Sequence, residues 1–251
     1  MKILKFIGFV VLSLCIFTSP VSLANQGNMG TKMESNVQIS DLQTQKKNTI
    51  LNRLEKENLI STEIKKLGKD KQEDVVCLAL NMYHEARGST VKDQIASTYV
   101  VFNRLENNNY PLNYETKSIC NIIFDRWQFC WTNGPQVAMP RVHINGEKIA
   151  WEKSQNLALK LYTNPEHKKL AREFQLQHYV VTPLLYDSNR PKWINKRKMT
   201  VQIGKHSYMA IRENIDDTVF NRNKSKVIIE KAHYLIFGKY SKDMKPTVSK
   251  N

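Results

Sequence analysis

The sequence predicts an α+β fold, helix-dominated, with a small antiparallel sheet between helices. Three observations carry this. Apolar residues recur at helical spacing in several segments between positions 74 and 174, and again near the C-terminus. A stretch rich in Tyr and Val, followed by two β-prone runs flanking Gly204-Lys205, reads as a strand and a hairpin. The 251 residues are 41% hydrophobic and 24% charged, an ordinary globular composition. That composition excludes a fully disordered chain, a collagen and a multi-span membrane protein. Four cysteines are too few for a disulfide-built miniprotein.

The chain opens with an address. Lys2 and Lys5 precede the uncharged, mostly apolar run Phe6 to Phe17, and Ser22-Leu23-Ala24 supplies small residues where a signal peptidase reads. Residues 1–24 are expected to be a secretory signal peptide cut after Ala24. Twelve apolar residues followed by Pro20 fall short of the roughly 20 that a membrane span needs. A lipoprotein at Cys15 is disfavoured by the bulky Leu14 before it.

Residues 25–72 are polar and Lys-rich and contain no aromatic residue. Ile50, Leu54, Ile60, Ile64 and Leu67 mark one side of a helix, so a polar, helical tail or stalk is expected rather than core. Aromatic and β-branched residues are dense from Glu73 onward, which places the folded domain at 73–240 and a polar tail at 241–251. Within the domain, Asp74 is expected to cap a helix carrying Val75, Leu78, Ala79 and Met82, with Gly88 as its stop. A second helix spans Val91 to Leu105 and ends at Asn107-Asn108-Asn109 and Pro111. Helices follow at Trp151 to Tyr162 and Glu166 to Phe174, then a strand at Gln177 to Thr182. Met199 to Ile203 and His206 to Ile211 form the hairpin, and Lys224 to Phe237 closes the domain as a helix.

Lys and Arg outnumber Asp and Glu by 38 to 23, a net charge of +15. Loss of residues 1–24 removes two Lys and no acid, leaving +13. Such a surplus favours anionic partners: nucleic acid, anionic lipid or cell-wall polymer. The basic residues are scattered and form no long run, so charge alone does not choose among them. Cys77, Cys120 and Cys130 remain after export, an odd number. A Cys120–Cys130 disulfide is the preferred pairing, because the two are close in sequence, with Cys77 buried in a helix. Three reduced, buried cysteines are the alternative. No CxxC occurs, which argues against a structural zinc site.

The richest stretch for chemistry is Tyr83-His84-Glu85-Ala86-Arg87-Gly88. It sets a carboxylic acid at the end of an apolar helix, beside an aromatic ring. Burial raises a Glu pKa, and a Glu that keeps its proton near neutral pH is able to donate it to a leaving oxygen. Arg87 would act in the opposite direction unless its guanidinium points elsewhere. The plainer alternative is a solvated helix-end Glu paired with a basic neighbour.

Glu85-Ala86-Arg87-Gly88 followed by Val101-Phe102-Asn103-Arg104-Leu105 resembles the SleB/CwlJ-type cell wall hydrolases. Ser118 to Phe124 with Gln128-Phe129-Cys130-Trp131-Thr132 is similar to the family block that ends in Gln-Phe-Ser. His178-Tyr179, Pro191-Lys192-Trp193 and Ile203 to Tyr208 resemble its C-terminal signature. The four blocks stand in order over roughly residues 74–210. The resemblance implies a lysozyme-like fold and action on peptidoglycan glycan strands, at the β-1,4 bond between N-acetylmuramic acid and N-acetylglucosamine. It implies that Glu85 is the single catalytic Glu; separately, no cofactor and no metal are expected. Glycosidases generally use two carboxylates. Only one matches here, so a lytic transglycosylase is expected rather than a hydrolysing muramidase, with Asp93 or Asp125 as the alternative hidden second acid. Gln128, Phe129, Trp131, Tyr179 and Trp193 are the candidate substrate-binding residues; core packing is the favoured reading for Phe129 and the cleft for Gln128, and Tyr179 either bonds substrate or Glu85 or is a half-buried Tyr with its hydroxyl in water. Cys130 departs from the family's Ser, and Leu184 to Arg190 looks like an insertion.

Three rival readings remain. A zinc hydrolase through His84, His178 and His206 lacks the H-E-x-x-H spacing. An N-acetylmuramoyl-L-alanine amidase would cut the peptide branch instead. A non-catalytic, basic wall-binding protein would rest on charge alone, and a nucleic-acid partner is not expected. The expected location is periplasmic or extracellular, at the wall, with no membrane span left after signal removal.

Overall fold

The computed structural model describes residues 29–110, 116–134, 139–188, 194, 197–211 and 222–238. The expected signal peptide at 1–24, the tail at 241–251 and Trp193 lie outside the described residues. The architecture is α+β and lysozyme-like in kind: helices around one core, with a three-stranded antiparallel sheet on one side.

Two helices form the centre. α3 (Lys69–Asn81) is apolar nearly all round over Val75 to Leu80, and a helix of that kind is stable only when enclosed. It packs against α2 (Thr62–Lys65), α5 (Ile119–Phe124) and α6 (Asn145–Thr163). α4 (Val91–Glu106) is buried from Asp93 to Arg104 and meets α5, α7 (Pro165–Phe174) and α8 (Arg222–Phe237). The sheet runs in the order β1 (His178–Val181), β3 (His206–Ile211), β2 (Arg197–Ile203). Tyr179 stands opposite Tyr208 in the β1–β3 register, and β2 carries an irregularity between Met199 and Val201. The two-residue connection Gly204-Lys205 joins β2 to β3, as the sequence pattern required.

Residues ahead of 73 depart from the expected tail. α1 (Met29–Lys56) is helical, but Ile50 and Leu54 enter the core, followed by Ile60 and Ile64. Side chains tie this segment down. Lys47 donates to Asn121 Oδ1 at 3.1 Å, Trp151 Nε1 to the Leu59 carbonyl at 2.8 Å, and the Ser61 N–H to Gln155 Oε1 at 2.7 Å. The segment reads as a tail in sequence because, among the described side chains, a narrow stripe of a long polar helix meets the protein.

Asp74 is not the cap of α3. That helix starts five residues earlier, after Gly68. Asp74 Oδ1 instead accepts from the N–H groups of Ile119 and Cys120, at 3.0 and 3.3 Å, so it caps α5 across the interface. One turn further along α3, Cys77 forms the disulfide, and its partner is Cys120, with Cα atoms 5.3 Å apart. The expected Cys120–Cys130 pairing is therefore replaced. Cys77 lies three residues from Asp74 on the same helix face, and both meet the start of α5. Cys130 sits half-buried in the 3₁₀ turn Cys130–Thr132, outside this bridge.

Two measurements check these assignments. Leu54→Ala should lower unfolding free energy by about 2–5 kcal/mol, as for a core leucine, where a solvated tail would give almost no change in urea denaturation. Cys77→Ser should cost about 4 kcal/mol by the closed-loop argument for a separation of 43 residues, and mapping of unreduced peptides should recover 77 linked to 120.

Candidate active site

The regular hydrogen bonding of α3 does not stop at a glycine. It widens into a π-turn over Met82–Ala86, a local geometry often found at functional positions. Gly88 follows in an ordinary turn, and Thr90 caps α4 by accepting from the Asp93 N–H at 3.3 Å. Gln94 of α4 donates to the Ala86 carbonyl at 3.0 Å and closes the end of the π-turn. Glu85 lies on this widened turn. It is half-buried, with protein crowded around its carboxyl.

Burial pushes the Glu85 pKa up. His206, Arg104 and the Tyr179 hydroxyl act against it, in that order, and the net direction is still upward. Arg87 is not among the opposing charges. Its guanidinium turns to Glu147, with Nε 3.0 Å from Oε2, and Nη1 donates to the Tyr83 carbonyl at 3.0 Å. It also lies over the Tyr83 ring, 4.7 Å from the centroid. Tyr83 donates to the same Glu147, and Arg141 approaches it at 3.4 Å. The Arg87 charge is thus used up on the side of the helix away from Glu85.

The sheet supplies the other half of the site. Tyr179 on β1 donates its hydroxyl to Glu85 Oε2 at a long 3.5 Å. Its ring packs near Phe129, Tyr208 and His206, with centroids 6.3, 5.5 and 5.1 Å away. Asn81, one turn before Glu85, bonds Tyr179 and accepts from Trp131 Nε1 at 3.0 Å. Trp131 in turn stacks on His84, 4.5 Å between centroids and nearly parallel. Glu85, Asn81, Tyr179, Trp131 and His84 therefore form one contiguous cluster. Of the expected binding residues, Trp131, Tyr179 and Gln128 are half-buried, while Phe129 is a core residue at 3% exposure.

The candidate second acids are otherwise engaged. Asp93 is fully buried on α4. Its Oδ2 accepts from the Lys205 N–H at 3.0 Å, from His206 Nδ1 at 2.8 Å and from Ser89. Tyr208 donates to Oδ1 at 2.6 Å. Burial by itself would raise the Asp93 pKa, but the bonds from His206, Ser89 and Tyr208 outweigh it and hold the carboxyl below the usual range. Asp125 is also fully buried, next to Arg104. His84, His178 and His206 lie in three different settings: His84 on Trp131, His178 beside Tyr110 at 3.5 Å, and His206 on Asp93. Among the described residues, no group of His, Cys, Asp and Glu has the arrangement of a metal site.

Sequence reasoning missed Asn81, Arg104 and Glu147. Asn81 is a polar residue inside an otherwise apolar helical run, a signal that was present. Arg104 lies in the Val101–Leu105 stretch, where nothing in the sequence gives it a role. Nothing local in the sequence marks Glu147, which reaches Tyr83 and Arg87 from the first turn of α6.

The Cell Wall Hydrolase family model matches residues 88–209. The matched stretch holds α4, the Gln128–Trp131 turn, β1 and the hairpin, and begins three residues after Glu85. No curated protein and no solved structure matches the chain.

The hairpin turn gives a sharp test of this geometry. Gly204 has φ +59°, and a Cβ there would lie 2.7–2.9 Å from the Asp93 side chain. Gly204→Ala should lower stability by about 2 kcal/mol or more in urea denaturation, since it combines left-handed strain with overpacking of the Asp93 cluster.

Proposed function

We propose that the chain, whose residues 88–209 match the cell wall hydrolase family, acts on peptidoglycan and cuts the β-1,4 bond between N-acetylmuramic acid and N-acetylglucosamine. Glu85 is the general acid. One observation carries the reading: a carboxyl on a widened helical turn, raised by burial, with the neighbouring Arg87 drawn off by Glu147.

The reaction is a lytic transglycosylation. Glu85 gives its proton to the glycosidic oxygen, and the bond from muramic C1 to that oxygen breaks. The Glu85 carboxylate then takes the proton of the muramic 6-hydroxyl as its oxygen closes on C1. The products are a free 4-hydroxyl and a 1,6-anhydro ring, and no water is consumed. The substrate's own N-acetyl oxygen steadies the cationic centre. Enclosure of Asp93 and Asp125 in hydrogen-bonded or buried positions supports a single-carboxylate scheme over a two-carboxylate hydrolysis. Tyr179 steers the Glu85 carboxyl, and Trp131 and Gln128 line the approach of the glycan. Trp193 joins them as a sugar-stacking residue on the strength of its sequence block.

Residues 1–24 act as an export signal. The Cys77–Cys120 disulfide suits an oxidising compartment, and among the described residues no helix is long and apolar enough to cross a membrane. The protein works at the wall, in the periplasm or outside the cell, where its basic surface meets an anionic polymer.

Digestion of purified peptidoglycan and mass spectrometry of the fragments tests the reaction. Fragments lighter by one water, with anhydro ends, are expected. Reducing ends would mean hydrolysis, and freed peptides an amidase. Glu85→Gln should cut the rate about 10²–10⁴-fold with the fold intact by circular dichroism. Activity should fall as pH rises through the raised Glu85 pKa, because the acid form is then lost. Full activity in Glu85→Gln would overturn the assignment of Glu85 as the acid, and an unsubstituted protein that releases no fragments would point to a passive wall-binding protein.

A further inference from the structure

We infer that Arg104 is a positioning residue for Glu85: a buried, fixed cation that stabilises the Glu85 carboxylate each time its proton is on the substrate. The inference rests on Glu85 being the acid. In the proposed cycle that carboxyl passes between a neutral and a charged form inside a crowded site, and the charged form is costly there unless something compensates it.

Arg104 has the required placement. It leaves α4 near its C-terminal end and is only 5% exposed. Its Nε donates to the Gln177 carbonyl at 2.8 Å, immediately before β1. The guanidinium carbon sits 5.0 Å from the Phe129 ring centroid and 5.5 Å from that of Tyr110. Phe129 packs against Tyr179, whose hydroxyl reaches Glu85. The cation is thus clamped behind the layer that touches the acid. Its Nη1 is buried and, among the described residues, has no hydrogen-bond partner. A buried donor left unmatched is expensive unless it serves a charge that appears during turnover. Arg104 loses no proton at any step; it acts only through its field and its spare N–H.

The groups around the pair are few. Glu85 is faced by Arg104 from α4, Tyr179 from β1, and His206 and Tyr208 from β3, with Asp93 behind His206. Arg104 is faced by Glu85, Tyr110, Tyr179 and Asp125. Among the described residues, Arg104 and His206 are therefore the basic side chains that favour the charged form of Glu85.

The test reads the Glu85 carboxyl directly in the full substrate-free protein, by carbon NMR with labelled Glu. Arg104→Met should raise its titration midpoint by about one pH unit or more, and move the high-pH limb of kcat/KM upward by the same amount. Arg104→Lys should keep both near the wild-type position. The loss should appear in kcat more than in KM. Should Arg104→Met fail to fold, the unsubstituted protein supplies a second reading. Its Arg104 guanidinium nitrogen resonance should shift together with Glu85 and stop doing so in Glu85→Gln. A midpoint unmoved in Arg104→Met, or a guanidinium signal blind to Glu85, overturns the inference. Either result is separate from the fate of the reaction itself, which the fragment masses decide.

Discussion

Asp93 is the fastening on which the site depends. This buried carboxylate, in the first turn of α4, holds the backbone and side chains of the β2–β3 hairpin through Lys205, His206 and Tyr208. A charge so enclosed is tolerable only because both oxygens are supplied with donors. Once those bonds are made, the sheet has one position against the helices. β1 is then carried by its register with β3, and Tyr179 arrives over Glu85. Gly204 belongs to the same constraint, because only a residue without a side chain lets the turn close on Asp93.

The two faces of the helix end do opposite electrostatic work. On one face, Tyr83, Arg87, Arg141 and Glu147 form a satisfied, partly exposed network in which cation and anion neutralise each other. On the other, protein crowds the Glu85 carboxyl, which among the described residues accepts from the Tyr179 hydroxyl, with Arg104 and His206 favouring its charged form. A crowded carboxyl whose pKa is raised by burial and a neighbouring arginine coexist within three residues because the turn sends them to different partners. The π-turn is the local device that permits this, since it alters the angular spacing of residues 82–86 relative to a regular helix.

Much of the fold was readable because its signals are local. The helices at 91–105, 151–162 and 166–174, the strand at 177–182 and the hairpin about Gly204-Lys205 all lie close to where apolar spacing and turn chemistry put them. Glu85, Tyr179 and Trp131 were likewise singled out, and they fall in one cluster. The readings that changed were those about pairing across distance. Asp74 caps a helix 45 residues away, Cys77 rather than Cys130 meets Cys120, and the stripe from Ile50 to Ile64 joins the core.

The amino-acid sequence by itself determined which segments are helices and strands, where the hairpin turns, and that one glutamate sits at the end of an apolar helix. Each of these follows from residue spacing within a dozen positions. Only the tertiary structure decided which way Arg87 points, that Asp93 fastens the sheet, and that Arg104 lies behind Tyr179. Those outcomes depend on which desolvated charge finds which donor, and the competing partners come from helices and strands far apart along the chain.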